Sequence, residues 1–516
     1  MASTAGLRDG AGPGPTLLDR PRLRYRLATG TAFSFLAIVI GQLFALVTSI
    51  LYARLLGPGN LGIFAIYTQF GAIAASFGTL GLSIPITRFV ARLRMQPAEV
   101  LGRFLGTILV ITVVASIVTS AVILLLAQEI GLGVYRSPDL VAMLQIASGF
   151  LVLDTFNIVG IAILQGLQKV RFLAIAGILI EAMTIPVMFV SLTVLGIVGA
   201  AIGGAGMTAI GSLLLFGSAL RNLEKHGIRL RVSFDRSAAR DLFRYAAPLL
   251  GSLIIVKLAL FFQTSFLAVS LGYADTGLFR VASTVSNIIG FLPAAMNVPL
   301  LPAIAELYAV APADRTRARM NTLLRMTSYV GAPLALSIAF GAAFIIELLY
   351  GPAYSGSGPL AFVLVMAGFV NVIDNVGTGS LLGEGRTGSL LLIDGLQAAI
   401  IVSGTVIFVG SFGLIGVGYA NLLGSITYGI LIIGFLSRTG RIDIKRVAWT
   451  FAPGLGGFGL AVIAYGWAAG HPGIWVGAPV VIFCAALAWV VMSPAERTLI
   501  VGALRDLWRH STHEDR

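Results

Sequence analysis

Six ionisable residues interrupt long apolar stretches of this 516-residue chain: Asp154, Glu181, Lys257, Arg280, Asp374 and Asp394. Each lies where a helix would be surrounded by hydrocarbon. One Asp, Lys or Arg at the centre of a membrane helix costs about 2.5–3.5 kcal/mol on insertion scales. Such residues face one another, or water, inside a bundle, and a polar interior in a greasy protein marks a route for a polar substrate. The two cations suit an anion. Arginine offers a planar fork for two phosphate oxygens, and lysine a mobile point charge, so Lys257 and Arg280 are candidates to hold a phosphate. Arg280, Ser283, Thr284 and Asn287 follow i, i+3, i+4, i+7 spacing and share one helical face. The plainer alternative is that each cation pairs with an embedded acid and serves packing only.

The acids form a pattern of their own. Asp154 and Asn157 stand one turn apart, and a shift of 217 residues lands them on Asn371 and Asp374. Acid and amide exchange places between the two sites. Asp394 adds Gln397 one turn on, and Glu181 lies near the end of its stretch. Such carboxylates can carry a coupling proton, ligate Na+ together with amide oxygens, or hydrogen-bond sugar hydroxyls. They can equally lock helices together. Ser34, Gln42 and Ser49 share another face, which places Gln42 among the candidates to line a cavity. No metal site or cofactor is expected: His226, His471, His510 and His513 are scattered, Cys484 sits in an apolar run, and no nucleotide-binding glycine loop or nucleophile motif occurs.

The elements that position these residues are membrane helices. The chain is 57% hydrophobic and 11% charged, with a mean hydropathy of +0.94. A soluble protein carries about 25% charged residues. A span needs about 20 apolar residues. Fourteen stretches qualify: 29–53, 62–86, 104–127, 141–166, 173–194, 196–219, 245–270, 276–302, 326–350, 358–382, 388–411, 413–437, 449–469 and 474–493. The expected fold is an all-α polytopic membrane protein. Residues 1–28 form a polar tail with no early apolar core, so no cleavable signal peptide is expected. Alternate loops and the two ends hold 31 of the 35 Lys and Arg residues, and the loops on the other side hold two, Arg54 and Arg136. This asymmetry puts both termini in the cytoplasm. The +13 net charge therefore reflects topology and anionic-lipid contact, and nucleic acid is not an expected partner.

The chain also repeats itself. Leu56-Gly57-Pro58 through Gly62-Ile63-Phe64 matches Leu271-Gly272-Tyr273 through Gly277-Leu278-Phe279 at an offset of 215. Leu164 to Lys169 matches Leu381 to Arg386, and Gly196 to Gly199 matches Gly413 to Gly416, both at 217. A unit of six spans returns the chain to the same side, so the repeats are parallel. The expected plan is an N-lobe at 29–219, a basic linker at 220–244, a C-lobe at 245–437, an appended helix pair within 438–493, and a tail at 494–516 with an interfacial helix.

The run Ala53-Arg54-Leu55-Leu56-Gly57-Pro58 through Phe64 resembles the start of polysaccharide-transporter flippases, and Leu242-Phe243-Arg244-Tyr245-Ala246-Ala247-Pro248-Leu249 resembles the opening of their second half. The resemblance covers the first twelve spans. It implies membership of the superfamily that includes lipid II flippases and MATE multidrug exporters, with two six-helix lobes, a central cavity and alternating access. The implied cargo is an oligosaccharide on a polyprenyl phosphate or pyrophosphate. Implied partners are this lipid-linked substrate, membrane lipids, a coupling H+ or Na+, and glycan-assembly enzymes. The implied location is the cytoplasmic membrane. A cation-coupled exporter of small organic molecules is the competing function. An enzyme is disfavoured, because the expected outer loops are short.

Overall fold

The computed structural model describes residues 21–93, 97–228, 230, 236–290, 313–383, 386–443, 452–467, 474–494 and 497–498. Among them all regular structure is helical. The first half runs α1 (Pro21–Thr79), α2 (Ser83–Leu93), α3 (Ala98–Gln128), α4 (Pro138–Gly166) and α5 (Val170–Lys225). The second runs α6 (Arg236–Ser270), α7 (Tyr273–Ser286), α8 (Ala313–Tyr350), α9 (Gly358–Gly383), α10 (Thr387–Phe412) and α11 (Ile415–Arg438). Then come α12 (Ala452–Trp467) and α13 (Ile474–Val491), which pack on α8.

Nine candidate membrane segments are long and apolar enough among the described residues. Two of them, of 54 and 56 residues, are broken near the middle. At 1.5 Å per residue each is about 80 Å long, far more than the roughly 30 Å of a bilayer core. The breaks fall on glycines. Gly57 adopts φ 71°, ψ 171°, and Pro58 then opens the next helical rod, where its missing N–H costs nothing. Gly196 adopts φ 59°, ψ −142°. Its counterpart Gly413, 217 residues on, adopts φ 61°, ψ −140° and separates α10 from α11.

The repeat is therefore written in the backbone. It extends to the packing around each turn. A Cβ at Gly199 would collide with the Ser191 carbonyl, and one at Gly416 with the Phe408 carbonyl. These pairs are again 217 apart.

The chain departs from the expected edges in several places, and α8 starts at Ala313, well ahead of residue 326. Helix begins at Pro21, ahead of residue 29. The rod after Gly57 ends at Thr79, short of 86, because Leu80 and Gly81 turn through φ 48° and 61° before α2 resumes. The linker at 220–244 is mostly helical at its two ends, as α5 and α6 overrun it. The stretch 291–302 of the eighth span and the interfacial stretch Leu499 to Trp508 lie outside the described residues.

The halves meet unevenly. At the end carrying Gly57, Gly272 and Arg54 they share one apolar core, which includes Leu61, Phe64, Tyr135, Phe279, Tyr350 and Tyr354. A Cβ at Gly62 would strike the Tyr273 carbonyl, and one at Gly277 the Pro58 carbonyl, a reciprocal pair at offset 215. Arg54 Nε donates to the Leu349 carbonyl at 2.8 Å, and the Tyr354 hydroxyl donates to the Ala53 carbonyl at 2.7 Å. At the opposite end, which carries Arg88, Arg103, Lys169 and Arg221, the first half has a core of its own from Leu82, Ile86, Leu105, Ile163 and Leu215. Gly81 against Leu250 is the closest approach of a glycine across the halves there.

Candidate substrate cavity

Arg280 sits on α7, with the phenols of Tyr52 and Tyr350 as its electrostatic neighbours. Among the described residues no carboxylate pairs with its guanidinium. It lines a cavity of about 340 Å³ with Ser283 and Asn287 of its own face, Gln69 of α1, Gln263 of α6, and Asn371 and Asn375 of α9. Thr284, the fourth member of the α7 face, turns its hydroxyl to the Arg280 carbonyl at 2.9 Å and lies off the lining. Asn287, Asn371 and Asn375 are exposed, so solvent reaches this space.

A second cavity of about 350 Å³ continues from the first. Leu260, Asn371, Asn375 and Asn421 belong to both walls. It adds Asp374, Thr378, Asp394, Gln397, Ser425 and Tyr428. From Leu364 in the first cavity to Thr378 in the second, α9 advances fourteen residues, or about 21 Å.

Asp394 accepts a hydrogen bond from the Ser252 hydroxyl and another from Tyr428. The Tyr428 hydroxyl is 3.0 Å from that of Thr378. Asp374 lies beside this group, only 3% exposed, and its Oδ2 has no hydrogen-bond partner among the described residues. Gln263 donates to the Thr405 hydroxyl at 3.0 Å, while its Oε1 is likewise without a partner. An unmade bond of this kind costs about 1–3 kcal/mol.

The first half is built differently. Asp154 lines a separate cavity of about 210 Å³ whose polar companions are Tyr67 and Thr208 and whose other walls are apolar. Asn157 packs against Gly211, much as Asp374 packs against Gly429, and its Oδ1 also lacks a partner among the described residues.

Lys257 is placed apart from Arg280. Its Nζ donates to the Ala72 carbonyl at 2.9 Å and to Ser76 Oγ at 2.7 Å, which ties α6 to α1 across the halves. Asp154 stands within electrostatic range of it. Lys257 lines none of these three cavities, so the two cations are not gathered into one clamp. Glu181 is half-buried within electrostatic range of Tyr52. Gln42 is exposed on α1 and also lies off the cavity walls.

The sequence reading passed over Gln263, Asn375, Thr378, Asn421, Ser425 and Tyr428. For two of them the signal was present: Asn371, Asp374, Asn375 and Thr378 follow i, i+3, i+4, i+7. That is the same spacing that marked the Arg280 face.

Comparison with known proteins agrees with this architecture. A solved structure of the lipid II flippase MurJ, in an inward closed conformation, superposes with a TM-score of 0.67 over 92% of this chain and 100% of that one, at 15% identity. An inward-facing MATE family multidrug transporter superposes at 0.61 over 80% of this chain and 95% of the other, at 19% identity. These likenesses establish the fold. An uncharacterised membrane protein of Methanocaldococcus jannaschii is 23% identical over 239 residues, which is 46% of each chain, so the match spans about half the length of that relative. The family model described as polysaccharide biosynthesis protein matches residues 27–308, more than half of the chain, and the chain belongs to that family.

Proposed function

We propose that this protein is a flippase that carries a polyprenyl phosphate- or pyrophosphate-linked oligosaccharide across the cytoplasmic membrane. The observation that carries the reading is Arg280: a guanidinium on an open polar cavity, with phenols and, among the described residues, no carboxylate around it. Such a fork binds a phosphate through two parallel hydrogen bonds and in a fixed orientation.

The proposed topology has fourteen crossings with both termini in the cytoplasm, as two six-helix lobes and an appended pair. The core shared around Phe64 and Phe279 then lies at the outer face, and the first half's separate core at the cytoplasmic face. The headgroup enters from the cytoplasmic leaflet and Arg280 takes the phosphate. The polyprenyl tail stays in lipid. Transfer requires the core around Phe64, Phe279 and Tyr354 to part while the cytoplasmic ends close. Lys257 assists by fastening α6 to α1, and its separation from Arg280 makes it a secondary cation in this scheme. Asp374 and Asp394, grouped around Tyr428, are the candidates to couple movement to H+ or Na+. Partners in this reading are the lipid-linked substrate, membrane lipids and glycan-assembly enzymes.

The same acid pair favours one competing reading, an H+- or Na+-coupled exporter of small organic molecules. A proteoliposome assay with a fluorescent polyprenyl-pyrophosphate sugar separates the two. Flipping by wild type that is lost in folded Arg280→Ala supports the flippase. Folded wild type that moves no lipid-linked sugar, with an ion gradient applied, but expels organic cations transfers the assignment to the exporter.

A further inference from the structure

We propose that the glycan part of the cargo is read by the second half alone, in the cavity between α6, α9, α10 and α11, and that this site takes neutral or amino sugars and rejects uronic acids. The inference rests on the flippase reading and adds the substrate class.

Charge is laid out along this cavity. Arg280 stands at one end. Asp374 and Asp394 stand at the other. Carboxamides fill the middle, with Asn371, Asn375 and Asn421 on both walls and Gln397 beyond them. A phosphate at Arg280 therefore points its sugars toward the acids. The run of about 21 Å along α9 leaves room for more than the phosphate.

Both ends of this space ask for a ligand that brings donors. Asp374 is 97% removed from solvent, and its Oδ2 takes no hydrogen bond among the described residues. Gln263 Oε1, fully buried at the Arg280 end, is in the same state. Two unpaired acceptors on one continuous cavity match sugar hydroxyls or a sugar ammonium. Carboxamides, which donate and accept, suit the same hydroxyls. A uronic carboxylate brings acceptors only, and the far end offers no cation among its described lining residues to offset the cost of burying that charge. The site thus discriminates by desolvation as well as by fit. Each cavity, at about 340 and 350 Å³, is far larger than an ion needs and lies in the range of small-molecule sites.

Among the described residues the cavity of the first half is lined differently. This cavity of about 210 Å³ is walled by Phe70, Leu144, Phe150 and Leu151, with Asp154 as its one carboxylate.

The test measures affinity of the purified full chain in lipid nanodiscs for three probes: polyprenyl pyrophosphate without sugar, the same carrier with a neutral disaccharide, and the same carrier with one hexose replaced by a hexuronic acid. The readout is the ratio of affinities with and without sugar. In wild type the neutral disaccharide is expected to bind at least about tenfold tighter than its uronic counterpart. Asn375→Ala and Asn421→Ala are expected to remove most of the sugar-dependent gain, and Thr208→Val in the first-half cavity to keep it. Thermal melts establish that each variant is folded. A sugar gain that is absent in wild type, or survives both asparagine variants, or is as large for the uronic probe, overturns the inference and leaves the flippase reading standing. Folded wild type that binds no carrier at all overturns both.

Discussion

The two halves share a backbone and differ in what they can hold. Gly196 and Gly413 turn through the same angles, and Gly57 and Gly272 occupy matching breaks. Around those turns one half encloses a small, largely apolar pocket, and the other supplies most of the wall of a long cavity of amides, two acids and an arginine, with Ala65 and Gln69 of the first half at its Arg280 end. Asp154 and Asn157 became Asn371 and Asp374, so the acid moved from an accessible position to a buried one. The turns at Gly57, Gly196, Gly272 and Gly413 favour glycine through their left-handed φ, and Gly62, Gly199, Gly277 and Gly416 are kept bare by a close carbonyl. The lining carried no such constraint and diverged. Architecture is thus held in common while the linings differ.

The most severe disruption should come from Arg280→Ala, which removes the cavity's cation. Loss of a charge-assisted contact of about 1.5–3 kcal/mol lowers phosphate affinity roughly 10- to 150-fold. Arg280→Lys should recover part of it. Binding of a polyprenyl phosphate probe reads the effect, and equal affinity in all three proteins would place the phosphate elsewhere. Next in size, Asp374→Asn should slow translocation about tenfold, while Asp154→Asn in the first half should stay within about twofold. Equal losses at both sites would mean that the halves contribute alike, and the asymmetry drawn above would fail.

Gly277→Val should pry the halves apart where a side chain would meet the Pro58 carbonyl. Spin labels across that seam should report a longer and broader separation than wild type. An unchanged distance distribution would show that the contact adapts without cost. The smallest effect is expected from Lys257→Met, which removes two hydrogen bonds across the halves and should lower Tm by no more than about 4 °C. A loss of binding in this variant as large as that of Arg280→Ala would restore Lys257 to the phosphate site.

Much of the plan was legible in the sequence because lipid imposes it. Apolar length gave helix edges within a few residues for α4, α9, α10 and α11, and the glycine matches gave the repeat before any coordinate. The Arg280 face emerged because a cation amid Ser and Asn is rare in hydrocarbon. Asn375 and Asn421 were harder to see. An amide in a membrane helix bonds a neighbouring helix as readily as it lines a cavity. Only the packing of α9 against α11, and of α10 against α6, separates the two outcomes. Lys257 illustrates the converse: its charge was conspicuous, yet Ala72 and Ser76 on the facing helix decide what it touches. The separate fates of Asp154 and Asp374 also depended on which neighbours were small, as Gly429 is beside Asp374.

The seam at Gly62 and Gly277 is made by main chain meeting main chain. Each glycine receives the carbonyl that its counterpart's neighbour supplies, and the surface involved would be the same for any sequence that keeps those two positions bare. A gene that doubles this unit therefore inherits a self-complementary seam at once, before either copy has changed. Later substitutions in the linings can then accumulate without the contact between the halves having to be built again.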